Sequence, residues 1–191
     1  MEDRRLWLPA LAFGTITSLA YFIAAVAPLY VFDGNVRGYV SIASYDLTVF
    51  GEKYYSLSLE AVKPFAYLLI AQAGLNIIAI AVSGAKTFFG RKSVVWKAVA
   101  FGAMLSTLVG VGILYGCAHI VSEETKPLLA DFSHETSAGK IVFPKTMCYP
   151  QPAYFLVSNF IPLALAIIYA ITLSIACTFE ESSSINPRRL R

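Results

Sequence analysis

Charge is absent from four long stretches of the chain. Residues 6–32, 65–85, 98–118 and 153–179 contain no Asp, Glu, Lys or Arg. A helix needs about 20 apolar residues to cross the hydrocarbon core of a bilayer, and each stretch reaches that length. Inside lipid no water can satisfy a bare backbone, so runs of this kind predict helices. The pattern predicts four transmembrane spans, about 6–32, 64–85, 96–120 and 153–179, in a single membrane domain over residues 1–191. The first run follows Arg4 and Arg5. It is about twice the ~7–15 residues of a cleaved signal's apolar region, so it reads as a retained anchor.

The two long connections, 33–63 and 121–152, carry a different period. Val40 and Ile42 alternate with Tyr39 and Ser41, then Tyr45, Leu47 and Val49 with Asp46, Thr48 and Phe50. After Gly51-Glu52-Lys53, Tyr55, Leu57 and Leu59 alternate with Ser56 and Ser58. Period-two alternation interrupted at a glycine predicts a hairpin. The second loop offers one short strand candidate, residues 140–143. A lone hairpin is marginal in water, so the expectation is a small antiparallel sheet drawn from both loops and seated on the helices. Pro64 is expected in the first turn of the second span, where no amide bond is lost. The tail, 180–191, places Glu180-Glu181 beside Ser182-Ser183-Ser184 and reads as a flexible polar end; its acidic flank makes the serines candidate phosphorylation sites.

Composition agrees with this fold class, an all-α membrane protein: a four-transmembrane-helix bundle with a small external antiparallel sheet. The chain is 57% hydrophobic and 14% charged, whereas about a quarter of a soluble domain is charged. The net charge of +3 comes from an asymmetry. Arg4, Arg5, Lys86, Arg91, Lys92, Lys97, Arg188, Arg189 and Arg191 lie at the termini and around the short connection 86–95, while the long loops pair six cations with eight acids. The positive-inside rule then predicts both termini in the cytoplasm and both long loops outside. No nucleic-acid partner is needed to explain the charge.

Within the third span, Gly102, Ser106 and Gly110 recur every four residues, and Gly112 and Gly116 form a second such pair. Small residues at this spacing let helix backbones approach closely, so they are expected to face another span or a second protomer. Gln72 and Asn76 lie four apart on one face of the second span, with Asn159, Thr15, Thr17 and Ser18 as expected partners. The plainer reading is hydrogen bonding between helices; the alternative is a passive channel or small-solute transporter lined by Gln72, Asn76 and Asn159. No ionisable residue lies deep in a span, which counts against a proton pump or coupled transporter.

Candidate chemistry changes little. His119, His134, Cys117, Cys148, Glu123 and Glu124 fall on the external side, but their spacing matches no metal-ligand pattern. No serine or cysteine sits in a nucleophile motif, so neither catalysis nor a cofactor is expected. Cys117 and Cys148 would share an oxidising compartment that permits a disulfide. Cys177, at the other end of the fourth span, reads as an inert buried thiol, with reversible palmitoylation as the alternative.

Residues 46–56 read Asp-Leu-Thr-Val-Phe-Gly-Glu-Lys-Tyr-Tyr-Ser. This segment resembles the signature of the amastins, four-span surface proteins that are in turn similar to the claudin and peripheral-myelin-protein class. Leu47, Thr48, Phe50, Gly51 and Lys53 fit that pattern; Val49 and Tyr55 depart from it, and Asp46 and Ser56 stand where it has two cysteines. The resemblance implies a claudin-like sheet from the first external loop and no enzymatic activity. It also implies that the sheet is held without a local disulfide, for which Tyr39, Tyr45, Phe50, Tyr54 and Tyr55 are the expected packing residues. The functional expectation is a multi-pass plasma-membrane protein, embedded in the lipid bilayer, that acts in surface interaction, membrane organisation or assembly with a membrane-protein partner or as a homo-oligomer. An accessory subunit of a larger complex and an internal organelle membrane are the variants.

Overall fold

The computed structural model describes residues 7–88, 94–129, 133–136, 139–142 and 146–185. Arg4, Arg5, Arg91, Lys92, Phe143, Arg188, Arg189 and Arg191 lie outside these residues.

The helices are α1 (Trp7–Val26), α2 (Leu57–Phe88), α3 (Val94–Thr125), α4 (Pro152–Ser158) and α5 (Ile161–Ile185), with a 3-10 turn, Lys126–Leu129, after α3. Four of them, α1, α2, α3 and α5, are long and apolar enough to cross a membrane. Their side chains sort by helical period. On α2 the buried residues are Leu59, Val62, Ala66, Leu69, Ala73, Asn76, Ile80 and Ser83, at alternating steps of three and four. Phe65, Leu68, Leu75, Ile78 and Val82 point outward and are exposed. Large apolar side chains on the outside suit a helix whose solvent is lipid.

Helix ends depart from the expected boundaries for local reasons. α1 stops at Val26, short of residue 32, because Pro28 disfavours helical backbone in the residue before it. The rest of that apolar run becomes a strand. α2 starts at Leu57, not at 64, so Leu57 and Leu59 are helical and Pro64 sits inside the helix. Ser56 is its N-cap: the Leu59 N–H donates to Ser56 Oγ at 3.3 Å. α3 extends beyond 96–120 at both ends. The fourth run is two helices. Pro162 cannot continue α4, since its ring would meet the Ser158 carbonyl, and the chain turns at Phe160 with φ 54°. α5 then runs through Ile185, so Glu180–Ser184 continue that helix.

The strands are β1 (Tyr30–Asp33), β2 (Val36–Val40), β3 (Tyr45–Val49), β4 (Glu52–Lys53), β5 (Ser133–Thr136), β6 (Gly139–Val142) and β7 (Met147–Pro150). Five form one antiparallel sheet in the order β4-β3-β2-β1-β7. The expected second-loop strand corresponds to β6, which among the described residues pairs with β5 in a separate hairpin. The second loop reaches the main sheet through β7 instead. In β2, Gly38 has φ +125°, and a Cβ there would collide with the Asp46 carbonyl of β3.

The chain divides into two compact units. One comprises Met1–Tyr21, Ala71–Val111 and Phe160–Arg191. Its core contains Trp7, Ala10, Ile80, Met104, Tyr169 and Leu173. Gly14 lies against the Tyr169 ring and Gly84 against Leu11. The other unit, Phe22–Ile70 and Gly112–Asn159, carries the main sheet. Inside it, Ser56 Oγ donates to Glu124 Oε2 at 2.9 Å, tying the start of α2 to the end of α3. Ser56→Ala removes both the cap and this charged bond. It is expected to cost about 2 kcal/mol, read as a lower unfolding midpoint in detergent; an unchanged midpoint would refute the capping role.

Candidate functional site

Pairing register assigns every side chain of the main sheet to one of two faces. Phe32, Val36, Val40 and Leu47 point inward and are nearly fully buried. On the other face, Asp46, Tyr39, Val31 and Tyr149 lie in one cross-strand row. A second row runs Lys53, Thr48, Arg37, and beside it Asp33 pairs with Met147. Tyr39 (38%), Tyr149 (48%) and Met147 (60%) are exposed on this face. Arg37 Nε lies 3.8 Å from Asp33 Oδ1, with both side chains exposed. An ion pair so open contributes little to stability. The outward face is therefore aromatic at its centre and charged at its margin.

The signature-like residues occupy the β3–β4 hairpin. Leu47 is buried beneath the sheet. Thr48 Oγ1 donates to the Arg37 carbonyl at 3.4 Å. Phe50 (φ 52°) and Gly51 (φ 88°) form the two-residue turn. Two successive positive φ values are the hairpin turn whose twist matches the strands. Phenylalanine is a costly choice at its first position. Lys53 is exposed on β4.

Closure of this segment is non-covalent. Tyr45 and Ser56 bring the two ends together, with the Ser56 N–H donating to Tyr45 Oη at 3.4 Å. The Tyr54 N–H donates to the Leu47 carbonyl at 2.9 Å. Lys63 Nζ stands 4.7 Å from the centre of the Tyr45 ring and 2.6 Å from Glu60 Oε1. Of the five aromatics expected to hold the sheet, Tyr45 acts through its side chain and Tyr54 through its backbone N–H, whereas Tyr39, Phe50 and Tyr55 are exposed. Sequence reading missed Ser56 as a cap because the Tyr55, Leu57, Leu59 alternation resembles a strand. The competing signal was the helical spacing that begins at Leu59.

No disulfide joins Cys117 and Cys148, the bridge that an oxidising compartment would permit. Cys117 lies on the buried stripe of α3 with Leu114 and Val121, and Cys148 is half-buried on the inner side of β7. Burial pushes the Cys148 thiol and the Tyr30 phenol above their ordinary values, which keeps both protonated at neutral pH. Tyr30 stacks on Tyr154 at 5.2 Å between ring centres.

The polar residues of the spans make bonds between helices. Gln72 Nε2 donates to the Ser106 carbonyl and, at 2.7 Å, to Ser106 Oγ. Asn76 Nδ2 donates to Tyr21 Oη at 3.2 Å and Thr107 Oγ1 at 3.1 Å. Thr15, Thr17 and Ser18, expected as partners, bond carbonyls of their own helix instead. Asn159 belongs to the other unit, where its Nδ2 donates to the Phe155 carbonyl at 2.9 Å.

Of the small residues expected to pack on α3, Ser106 and Gly110 meet another span. The buried stripe runs Ala100, Ala103, Thr107, Val111, Leu114, Cys117 and Val121. Gly110 lies on it against the Gln72 amide, whereas Gly102, Gly112 and Gly116 have nothing within 4 Å of an added Cβ. A four-residue step drifts by about 40° around a helix, so Gly102 leaves the stripe, while Gly112 and Gly116 start on a different face. Alanine at Gly102, Gly112 or Gly116 is expected to be neutral or to stabilise by up to about 1 kcal/mol. Alanine at Gly110 must displace the Gln72 amide and is expected to cost about 1–3 kcal/mol, most of it abolished in the Gln72→Ala background. Thermal unfolding of the purified variants checks the contrast.

These features define a multi-pass membrane protein with four spanning helices and a five-stranded antiparallel sheet. No family model matches the chain, and searches of curated proteins and of solved structures find no match. Among the described residues no group of three or more His, Cys, Asp or Glu could hold a metal ion.

Proposed function

We propose that this is a non-enzymatic integral membrane protein of amastin-like type, acting in surface interaction, membrane organisation or assembly with a membrane-protein partner. The observation that carries the reading is the outward row of Tyr39, Val31 and Tyr149 across β2, β1 and β7. Tyrosines are favoured at protein interfaces because each brings large contact area with a polar tip. The segment that resembles the amastin signature forms part of the same sheet, and four of the five strands come from the first long loop. Both observations support a claudin-like arrangement. The reading takes both termini as cytoplasmic, the sheet as external and the plasma membrane as the site of action.

Crosslinking in native membranes tests this. A stable partner, whether another protein or a second copy, is expected with the wild type. A Tyr39→Ala variant is expected to lose at least about tenfold of that recovery, the scale of one hot-spot residue. A strictly monomeric wild-type protein would sink the proposal.

A further inference from the structure

The two edges of the main sheet are unlike. β4 is two residues long and both are charged, Glu52 and Lys53. Short, charged edges resist pairing with another chain. β7 at the opposite edge reads Met-Cys-Tyr-Pro, carries no charge and, among the described residues, has β1 as its one neighbour.

The ladder shows which backbone groups of β7 are free. The Gln151 N–H donates to the Leu29 carbonyl at 3.0 Å, and Tyr30 stands opposite Pro150. In an antiparallel ladder the bonded residues alternate. Residues 151, 149 and 147 therefore face β1, and the Cys148 N–H and C=O point to the open edge. Pro150 has the same parity, at a position where β1 needs no N–H from it. Met147 and Tyr149 flank this edge and are exposed.

We propose that the open edge of β7 pairs antiparallel with β7 of a second copy of this chain, about a twofold axis at Cys148. The Cys148 N–H then donates to the Cys148 carbonyl of the second copy and receives the reciprocal bond. One step along, Thr146 is buried and Pro150 has no N–H to return, so the reciprocal Cys148 bonds are the ones that close the edge. The edge is complementary to itself and the pair closes as a dimer. Pairing β7 with β4 would build an open chain and would meet Glu52 and Lys53. The inference rests on the reading of the protein as an assembling one and names its partner.

The test uses the full chain in membranes. With Cys117, Cys148 and Cys177 replaced by alanine, a Met147→Cys/Tyr149→Cys variant places residue 147 opposite residue 149 of the second copy. Such a non-hydrogen-bonded pair has Cα atoms about 4.5 Å apart, within disulfide reach. Mild oxidation is expected to convert most of the double variant to dimer, and Met147→Cys alone severalfold less, since two copies of residue 147 are diagonal. In the otherwise native chain, Cys148→Pro removes the edge N–H and leaves the bonds to β1. Its self-association is expected to fall roughly tenfold, with the unfolding midpoint unchanged. If Cys148→Pro unfolds, the register of the cysteine crosslinks decides. Equal crosslinking of single and double variants, or none, overturns the pairing, as does a folded Cys148→Pro that associates undiminished. A wild type that still captures a partner in those cases keeps the assembly reading; a wild type with no partner at all ends both.

Discussion

Gly38→Ala is expected to unfold the main sheet more readily than any other single methyl addition in the protein. Gly38 sits in mid-strand, opposite Leu47 of β3, with φ +125°. That backbone region is essentially closed to residues with a Cβ, and holding one there costs of order 1–3 kcal/mol. The added methyl also meets the Asp46 carbonyl. This is backbone, fixed by the β2–β3 ladder, so it cannot swing aside as a side-chain tip would. Together the two effects are expected to remove roughly 3–5 kcal/mol. Limited proteolysis of the first long loop in detergent reads the loss directly, because cleavage of a transiently open segment tracks its opening free energy. The first cuts are expected within residues 30–54, ahead of any cut in the helices. A variant as resistant as the wild type would show that the strand does not hold this conformation.

Much of the architecture is readable in the chain because membrane helices obey a length rule. Four charge-free runs became four spanning helices, and Gly51 marked the β3–β4 turn. The failures cluster where one apolar run serves two elements. Residues 6–32 look continuous, yet Pro28 divides helix from strand, and Tyr30, Val31 and Phe32 of β1 carry no charge to mark the change. The fourth run hides a break because Phe160 and Pro162 carry no charge while acting on the backbone. At residues 55–59 two periods overlap, and a serine acting as a cap decides for helix. The candidate surface was half legible. Alternation in Val40 to Val49 identified strands, but only the pairing of β1 with β7 brings Tyr149 into line with Tyr39. Such long-range registers leave no mark in local sequence.

Close helix packing was the least legible feature, and a variant at Gly14 tests it. The sequence advertises glycines on α3, and Gly110 among them is tight, but an equally tight contact in the first unit is made by Gly14 on α1. A Cβ on Gly14 would stand 2.8 Å from Tyr169 Cε2 and 2.9 Å from Ile80 Cδ1. Tyr169 is 2% exposed and shares its core with Met104 and Leu173. Its hydroxyl reaches the Ala100 carbonyl at 3.5 Å. The rigid ring therefore has no free direction in which to retreat. Overpacking a filled core costs about 1–3 kcal/mol, so Gly14→Ala belongs near the middle of that range and Gly14→Leu at or beyond its top. Gly84 provides the comparison. Its added Cβ meets the methyl ends of Leu11, which can rotate, and Gly84→Ala is expected to change stability by less than about 0.5 kcal/mol. Combining Gly14→Ala with Tyr169→Leu removes the ring and with it most of the cost, a coupling that thermal unfolding of the four proteins in one detergent measures. Equal costs for Gly14→Ala in both backgrounds would place the penalty elsewhere than the ring.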